Sequence, residues 1–145
     1  MCGHGIFLIA AMRRIRDLLP VGWTGAQRHE FLAKKLHGIE IDPFSIEVAR
    51  LCLTLADFPE PNGWDLKRED AFRGKSLKVL ASKASVIVGN PPFEILKGIT
   101  PETPKPKALL KTIFPLMKNG ALLGMVLPHS FLDGSKYRDE RLFLH

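Results

Sequence analysis

Residues 84–93 read Ala-Ser-Val-Ile-Val-Gly-Asn-Pro-Pro-Phe, and no other stretch limits the fold so tightly. Val86, Ile87 and Val88 are three β-branched apolar residues in a row, stiff at χ1 and without the polar alternation of a half-exposed strand. They predict a short strand buried on both faces, the habit of a parallel sheet. Gly89 ends the run. Pro91 and Pro92 then remove two backbone donors, so the chain can neither extend the ladder nor turn into a helix. Asn90 is thereby expected at the tip of a buried strand, on a rigid backbone.

Such a corner is rich in hydrogen-bond acceptors. The Asn90 side-chain oxygen and the proline carbonyls can accept, and the Phe93 ring offers a flat apolar face. The combination suits a planar amino group on an aromatic base, with both N–H bonds held and the ring stacked on Phe93. An aromatic amine is a poor nucleophile because its lone pair is delocalised; acceptors that hold both hydrogens favour the geometry in which the pair becomes available. The plainer alternative is a proline-rich turn with Phe93 as a lid. With Pro at about 5% of residues, Asn-Pro-Pro-aromatic arises by chance in on the order of one in a thousand chains of this length.

Strands and helices alternate around this corner. Ile6, Ile9, Ala10, Ile15 and Leu18 space as one stripe of a helix, and Gly3 and Gly5 before it let backbone approach a ligand at the positive end of the helix dipole. Pro20–Ala26 reads as a connector, Gln27–Lys35 as a short helix and Leu36–Ile41 as a strand. Asp42-Pro43 is a helix start, a capping acid followed by proline at the first helical position. Ile46, Ala49, Leu53 and Ala56 then line one face. Trp64–Lys67 is a third strand, and Gly74–Lys83 a partly helical return to Val86. Glu94–Lys107 lacks periodicity and is expected to be a mobile loop. Ala108–Lys118 is a helix, Leu122–Leu127 a strand and Lys136–Leu144 a last helix. An acid ending the second strand of such an arrangement, here Glu40, can bind both hydroxyls of a ribose through its two oxygens. A solvated edge is the plainer reading of Glu40, as a solvated loop is of Asp70.

Gly89-Asn90-Pro91-Pro92-Phe93 resembles the Asn-Pro-Pro-Tyr/Phe signature of S-adenosylmethionine-dependent amino-methyltransferases, above all the adenine-specific DNA methyltransferases of restriction-modification systems, type I and type IIG. Residues 1–7 are similar to that family's cofactor loop at Cys2, Gly3, Gly5 and Phe7, with His4 where the family has a small serine. Glu40 and Ile41 match its ribose-binding acid and adenine-packing neighbour. Asp70, in Arg-Glu-Asp-Ala-Phe, matches the acid that meets the cofactor adenine's amino group, and Lys118–Leu132 also looks like the type I and IIG enzymes. The resemblance implies a Rossmann-like methyltransferase fold of the α/β class, a mostly parallel sheet with flanking helices. S-adenosylmethionine would bind the half spanning 1–83 with Asn90 as a further contact, and Asn90, Pro91, Pro92 and Phe93 in 84–145 would hold an adenine flipped out of double-stranded DNA. It also implies a domain incomplete at both ends, since the family's first strand precedes the cofactor loop and later strands and a target-recognition domain follow. Specificity or restriction subunits are the further partners it suggests. Related enzymes methylate glutamine in release factors or amino groups in ribosomal RNA. Outside catalysis, the alternative is an inactive remnant or a nucleic-acid-binding part.

Composition narrows the classes that remain. A net charge of +6 suits a polyanionic partner, although the basic residues are spread along the chain. Two cysteines, Cys2 and Cys52, give no disulfide framework and suit a reducing cytoplasm. The five histidines lack metal-ligand spacing, so no metal is expected. Ile6–Met12 is too short to span a bilayer, and Arg13-Arg14 follows it, the wrong order for a signal peptide.

Overall fold

The computed structural model describes residues 1–60, 62–96 and 102–142, apart from the side chains of Lys136 and Glu140. The chain divides into two compact units, Met1–Ser76 and Leu77–His145. Each is mixed α/β and contains a short pair of parallel strands.

In the first unit the order is α1 (Ile6–Leu18), α2 (Gly25–Lys35), β1 (His37–Glu40), α3 (Pro43–Ala56) and β2 (Asp65–Arg68). β1 and β2 pair in parallel from His37↔Asp65 to Glu40↔Arg68, with α3 as the crossover that a parallel pair requires. Asp42 ends the strand and starts the helix: its Oδ2 accepts the Ser45 N–H at 2.8 Å, and Pro43 takes the first helical position. Glu40 is thereby left at the carboxyl end of β1. α2 starts at Gly25, earlier than the expected Gln27, because Thr24 and Gln27 satisfy each other's backbone N–H in a capping box.

The first core is built from Leu8, Met12, Leu32, Leu36, Ile46, Ala49, Leu53, Trp64 and Leu66. The expected stripe on α1 is met in part: Ile9 and Ile15 pack against the core, but its fully inward residues are Leu8 and Met12, while Ile6, Ala10 and Leu18 are exposed. Gly5 leads into the helix with φ 85°, and a Cβ there would lie 3.0 Å from the Ala49 Cβ, so α1 enters directly against α3.

The second unit follows from α4 (Ser76–Ala81): β3 (Val86–Gly89), β4 (Ile95–Leu96), β5 (Thr103–Pro104), α5 (Lys105–Ile113), β6 (Leu122–Met125), α6 (Ser130–Asp133) and α7 (Arg138–Leu142). Short 3₁₀ turns at Phe114–Leu116 and Ser135–Tyr137 complete it, so the last helix begins at Arg138 instead of the expected Lys136. β3 pairs with β6 in parallel, Val86↔Leu122 to Gly89↔Met125. The expected loop from Glu94 is in part an antiparallel clip, with Ile95 opposite Pro104 and Leu96 opposite Thr103. Lys105 closes the clip: its N–H donates to the Glu94 carbonyl at 2.8 Å and its Nζ pairs with the Glu94 carboxylate at 2.6 Å. Positions 97–101 of that loop lie outside the described residues, as do 143 and 144 of the last expected helix.

Burial of β3 on both faces is not found. Leu123 and Met125, whose register partners are Ile87 and Gly89, pack on a cluster of Leu110, Phe131 and Tyr137. Val86, Val88 and Leu122 on the opposite face are 58%, 44% and 67% exposed. Among the described residues the strands form three two-stranded sheets and not one continuous sheet, so β3 has β6 as its one ladder neighbour.

Candidate functional site

The carboxyl end of β1 is built around Glu40, whose side chain is almost wholly buried. Its Oε2 accepts the Gly3 N–H at 2.8 Å and pairs with the Met1 ammonium at 2.8 Å. Its Oε1 accepts the N–H groups of Ile41 at 2.8 Å and Asp42 at 3.1 Å. Burial pushes its pKa up, but hydrogen bonds from the Met1 amino group and from the Asp42 and Gly3 N–H groups outweigh it and hold the value at about 2. Glu40 is therefore an ionised acceptor at neutral pH.

The glycine loop wraps this carboxylate. The Cys2 N–H donates to the Ile39 carbonyl at 2.9 Å, on the side of β1 away from β2, and the Gly5 N–H donates back to the Cys2 carbonyl at 3.0 Å. Gly3 and Gly5 turn the loop with φ 54° and 85°, a region that favours glycine. Burial raises the pKa of the half-buried Cys2 thiol, so it stays protonated and contributes packing, not charge. The Glu69 N–H donates to the Glu40 carbonyl at 2.9 Å, which carries the ladder one step past β2 and sets Asp70 at the same end of the sheet. Asp70 Oδ1 accepts the Phe72 N–H at 2.9 Å, while Oδ2 has only a loose 3.8 Å contact with Arg73. Cys2, Gly3, Gly5, Glu40, Ile41 and Asp70 thus gather within the first unit. Phe7 stands on the first turn of α1, partly exposed.

The donor set can be weighed against an adenosine-type ligand. A carboxylate has about four lone-pair sites, and three at Glu40 are taken by backbone N–H groups that shape the loop. The fourth holds the Met1 ammonium, which a ribose hydroxyl would have to displace. Ile41 is 59% exposed directly after Glu40, and Asp70 Oδ2 retains acceptor capacity for an amino group. That displacement frees one site, on Oε2, for a single hydroxyl; both Oε1 sites stay with Ile41 and Asp42, so the expected grip on two ribose hydroxyls through both oxygens is not what the loop offers.

In the second unit the Asn-Pro-Pro-Phe corner leaves β3 where the Val126 N–H donates to the Gly89 carbonyl at 3.0 Å. Pro91 is fully buried and anchors the corner, whereas Asn90, Pro92 and Phe93 are exposed. The Glu94–Lys105 clip fixes the exit. An amide and an aromatic ring therefore project from a backbone held at both ends.

Two features went unread in the sequence. His29 Nδ1 lies 2.7 Å from Asp57 Oδ2, and Arg16 Nη2 donates to Asp57 Oδ1 at 2.6 Å, tying α1 and α2 to the end of α3. Nothing in the local sequence marks partners so far apart. Phe44 meets the His4 ring edge to face, centroids 6.4 Å apart at 81°. Its signal was an aromatic directly after Asp42-Pro43. Among the described residues no three His, Cys, Asp or Glu side chains converge as a metal site, and no helix is long and apolar enough to cross a membrane. No protein-family model matches the chain, and no curated protein matches it.

Proposed function

We propose that the chain is part of an adenine-specific DNA methyltransferase of Rossmann-like fold, working in the cytoplasm on double-stranded DNA, with specificity or restriction subunits as further partners. In this reading Cys2, Gly3, Gly5, Phe7, Glu40, Ile41 and Asp70 hold S-adenosylmethionine, which when bound supplies an electrophilic methyl group. Asn90 and a proline carbonyl accept the two N–H bonds of a flipped adenine's exocyclic amine, and Phe93 stacks on its ring. The amine nitrogen then bonds to the methyl carbon as the carbon–sulfur bond breaks onto sulfur, and the amine gives up one proton to water. Positioning and fixed acceptors supply the acceleration, with no strong base required.

The observation that carries the reading is the exposed Asn90 amide and Phe93 ring on a corner anchored by buried Pro91. Charge supports it. Leu77–His145 holds ten Lys and Arg against five Asp and Glu, whereas Met1–Ser76 holds eleven against ten, so the excess lies in the unit that carries Asn90. Such an excess draws phosphate backbones.

The test is transfer of labelled methyl groups to unmethylated double-stranded DNA, RNA and protein. DNA labelling is expected, and Asn90→Ala should reduce it on the order of a hundredfold or more. Labelling of RNA or protein alone would move the acceptor to the related enzymes. The alternative outside catalysis is an inactive remnant or a nucleic-acid-binding part. It predicts no saturable heat on titration with S-adenosylmethionine.

A further inference from the structure

We propose that the outer face of α3 is the seam of a homodimer, in which a second copy of this chain lays its own α3 antiparallel across it. Phe44, Val48, Leu51, Leu55 and Phe58 follow one another by alternating steps of four and three residues, the spacing that keeps a seam on one side of a helix. Ile46, Ala49 and Leu53, which fill the core of the unit, lie on the opposite side. A helix on the surface of a single unit needs one apolar stripe; α3 carries two, about half a turn apart. Folding of the unit uses only the inner one. On the outer stripe Phe44, Leu51, Leu55 and Phe58 are 71%, 57%, 64% and 80% exposed, and Val48 is partly so.

The order of side chains along the stripe points to a second copy. Phe44 and Phe58 stand equally far on either side of Leu51, so a two-fold axis through Leu51 sets Leu51 on itself, Val48 on Leu55 and each ring on the other ring of the copy. Aromatic pairs then close both ends. Charge agrees. Copies of a chain at +6 repel, but the residues beside the stripe are Ser45, Glu47, Cys52 and Thr54, and Glu47 is already paired with Arg50 at 3.3 Å, so between the terminal rings no unpaired charges meet. The rings, at these exposures and about 200 Å² each, offer roughly 300 Å² per copy and roughly 600 Å² for the pair. Leu51, Leu55 and Val48 carry the total to about 1,000 Å², the threshold of a specific interface and the area of a weak, reversible dimer.

Sedimentation equilibrium of the full chain over a concentration series from about 5 to about 500 μM tests this. The mass should rise from that of one chain towards that of two, with a Kd on the order of 100 μM. Leu51→Glu sets two like charges face to face on the axis and should weaken association at least about tenfold, holding the chain monomeric over the series. Its melting temperature at the lowest concentration should match the wild type, because the side chain lies outside the core. The direction of the helices has its own test. Phe44→Lys and Phe58→Glu should each weaken the dimer, and the double variant should associate better than either, since an antiparallel copy sets each new cation against a new carboxylate whereas a parallel one sets like against like. A wild type that stays monomeric throughout overturns the proposal, and so does a Leu51→Glu dimer as tight as the wild type. A double variant weaker than both single variants overturns the antiparallel arrangement. None of these outcomes depends on methyl transfer.

Discussion

β1 and β3 are both four-residue parallel strands that end beside a residue of chemical interest, but they are held in opposite ways. β1 reads His-Gly-Ile-Glu and buries its last three residues. β3 reads Val-Ile-Val-Gly and buries none of them fully. The less apolar strand is the better covered. At Gly38 an added Cβ would lie 2.9 Å from Leu66, 3.0 Å from Leu8 and 3.1 Å from the Cys2 sulfur, so neighbours close over β1 to the limit that glycine allows. At Gly89 the same Cβ would meet only the end of Met125, at 4.0 Å. Burial is decided by what packs on a strand; the strand's own spelling decides only that it is a strand. The two candidate ends are therefore preorganised differently, Glu40 by packing and backbone donors, Asn90 by proline stiffness and a clip.

The sharpest way to break this contrast is a truncation in the first core. Leu53 is fully buried against helices and sheet, so Leu53→Ala should cost about 3 kcal/mol in a denaturant or thermal melt. A cost below about 1 kcal/mol would mean that the first unit is as loosely covered as β3.

Acid separates the two ends next. Glu40 has a folded-state pKa of about 2 against an ordinary 4.5, so ionisation favours the folded loop. That stabilisation is fully present above about pH 4.5 and is lost as pH falls towards 2. The Gly3 amide resonance should report it, shifting with a midpoint far below 4.5, and Glu40→Gln should abolish the shift. Asn90 carries no titratable proton, and the Glu94–Lys105 pair of its clip, exposed on the Glu94 side, should add only a small acid response over the same range.

What could be read from the sequence follows the same division. α3 was legible because Asp42-Pro43 is a local signal and Ile46, Ala49 and Leu53 repeat at helical spacing. Glu40 was legible because a strand that stops at a capping acid fixes which residue ends it. The inward turn of Leu8 and Met12 on α1 was not, since it depends on what α1 packs against, including Ala49 beside Gly5, 44 positions away by their numbers in the chain. Nor was the clip at Glu94–Lys105, which pairs two residues across a stretch without periodicity. The exposed face of β3 could not be read either. Val86 and Val88 look the same in a sequence whether or not something lies over them.

That last ambiguity is open to a near-isosteric substitution, which is the smallest effect expected here. Val88→Thr keeps the shape and β-branching and adds one hydroxyl. Where the side chain is 44% exposed, water can solvate that hydroxyl, and the change in stability should stay within about 0.5 kcal/mol. Ile39→Thr on β1, at 9% exposure, removes a methyl group and buries a polar one, and should cost about 2 kcal/mol or more. The informative result is a failure of this asymmetry. If Val88→Thr proved as costly as Ile39→Thr, the valine face of β3 would have to be covered in the folded protein in solution, because a hydroxyl in contact with water carries no such penalty.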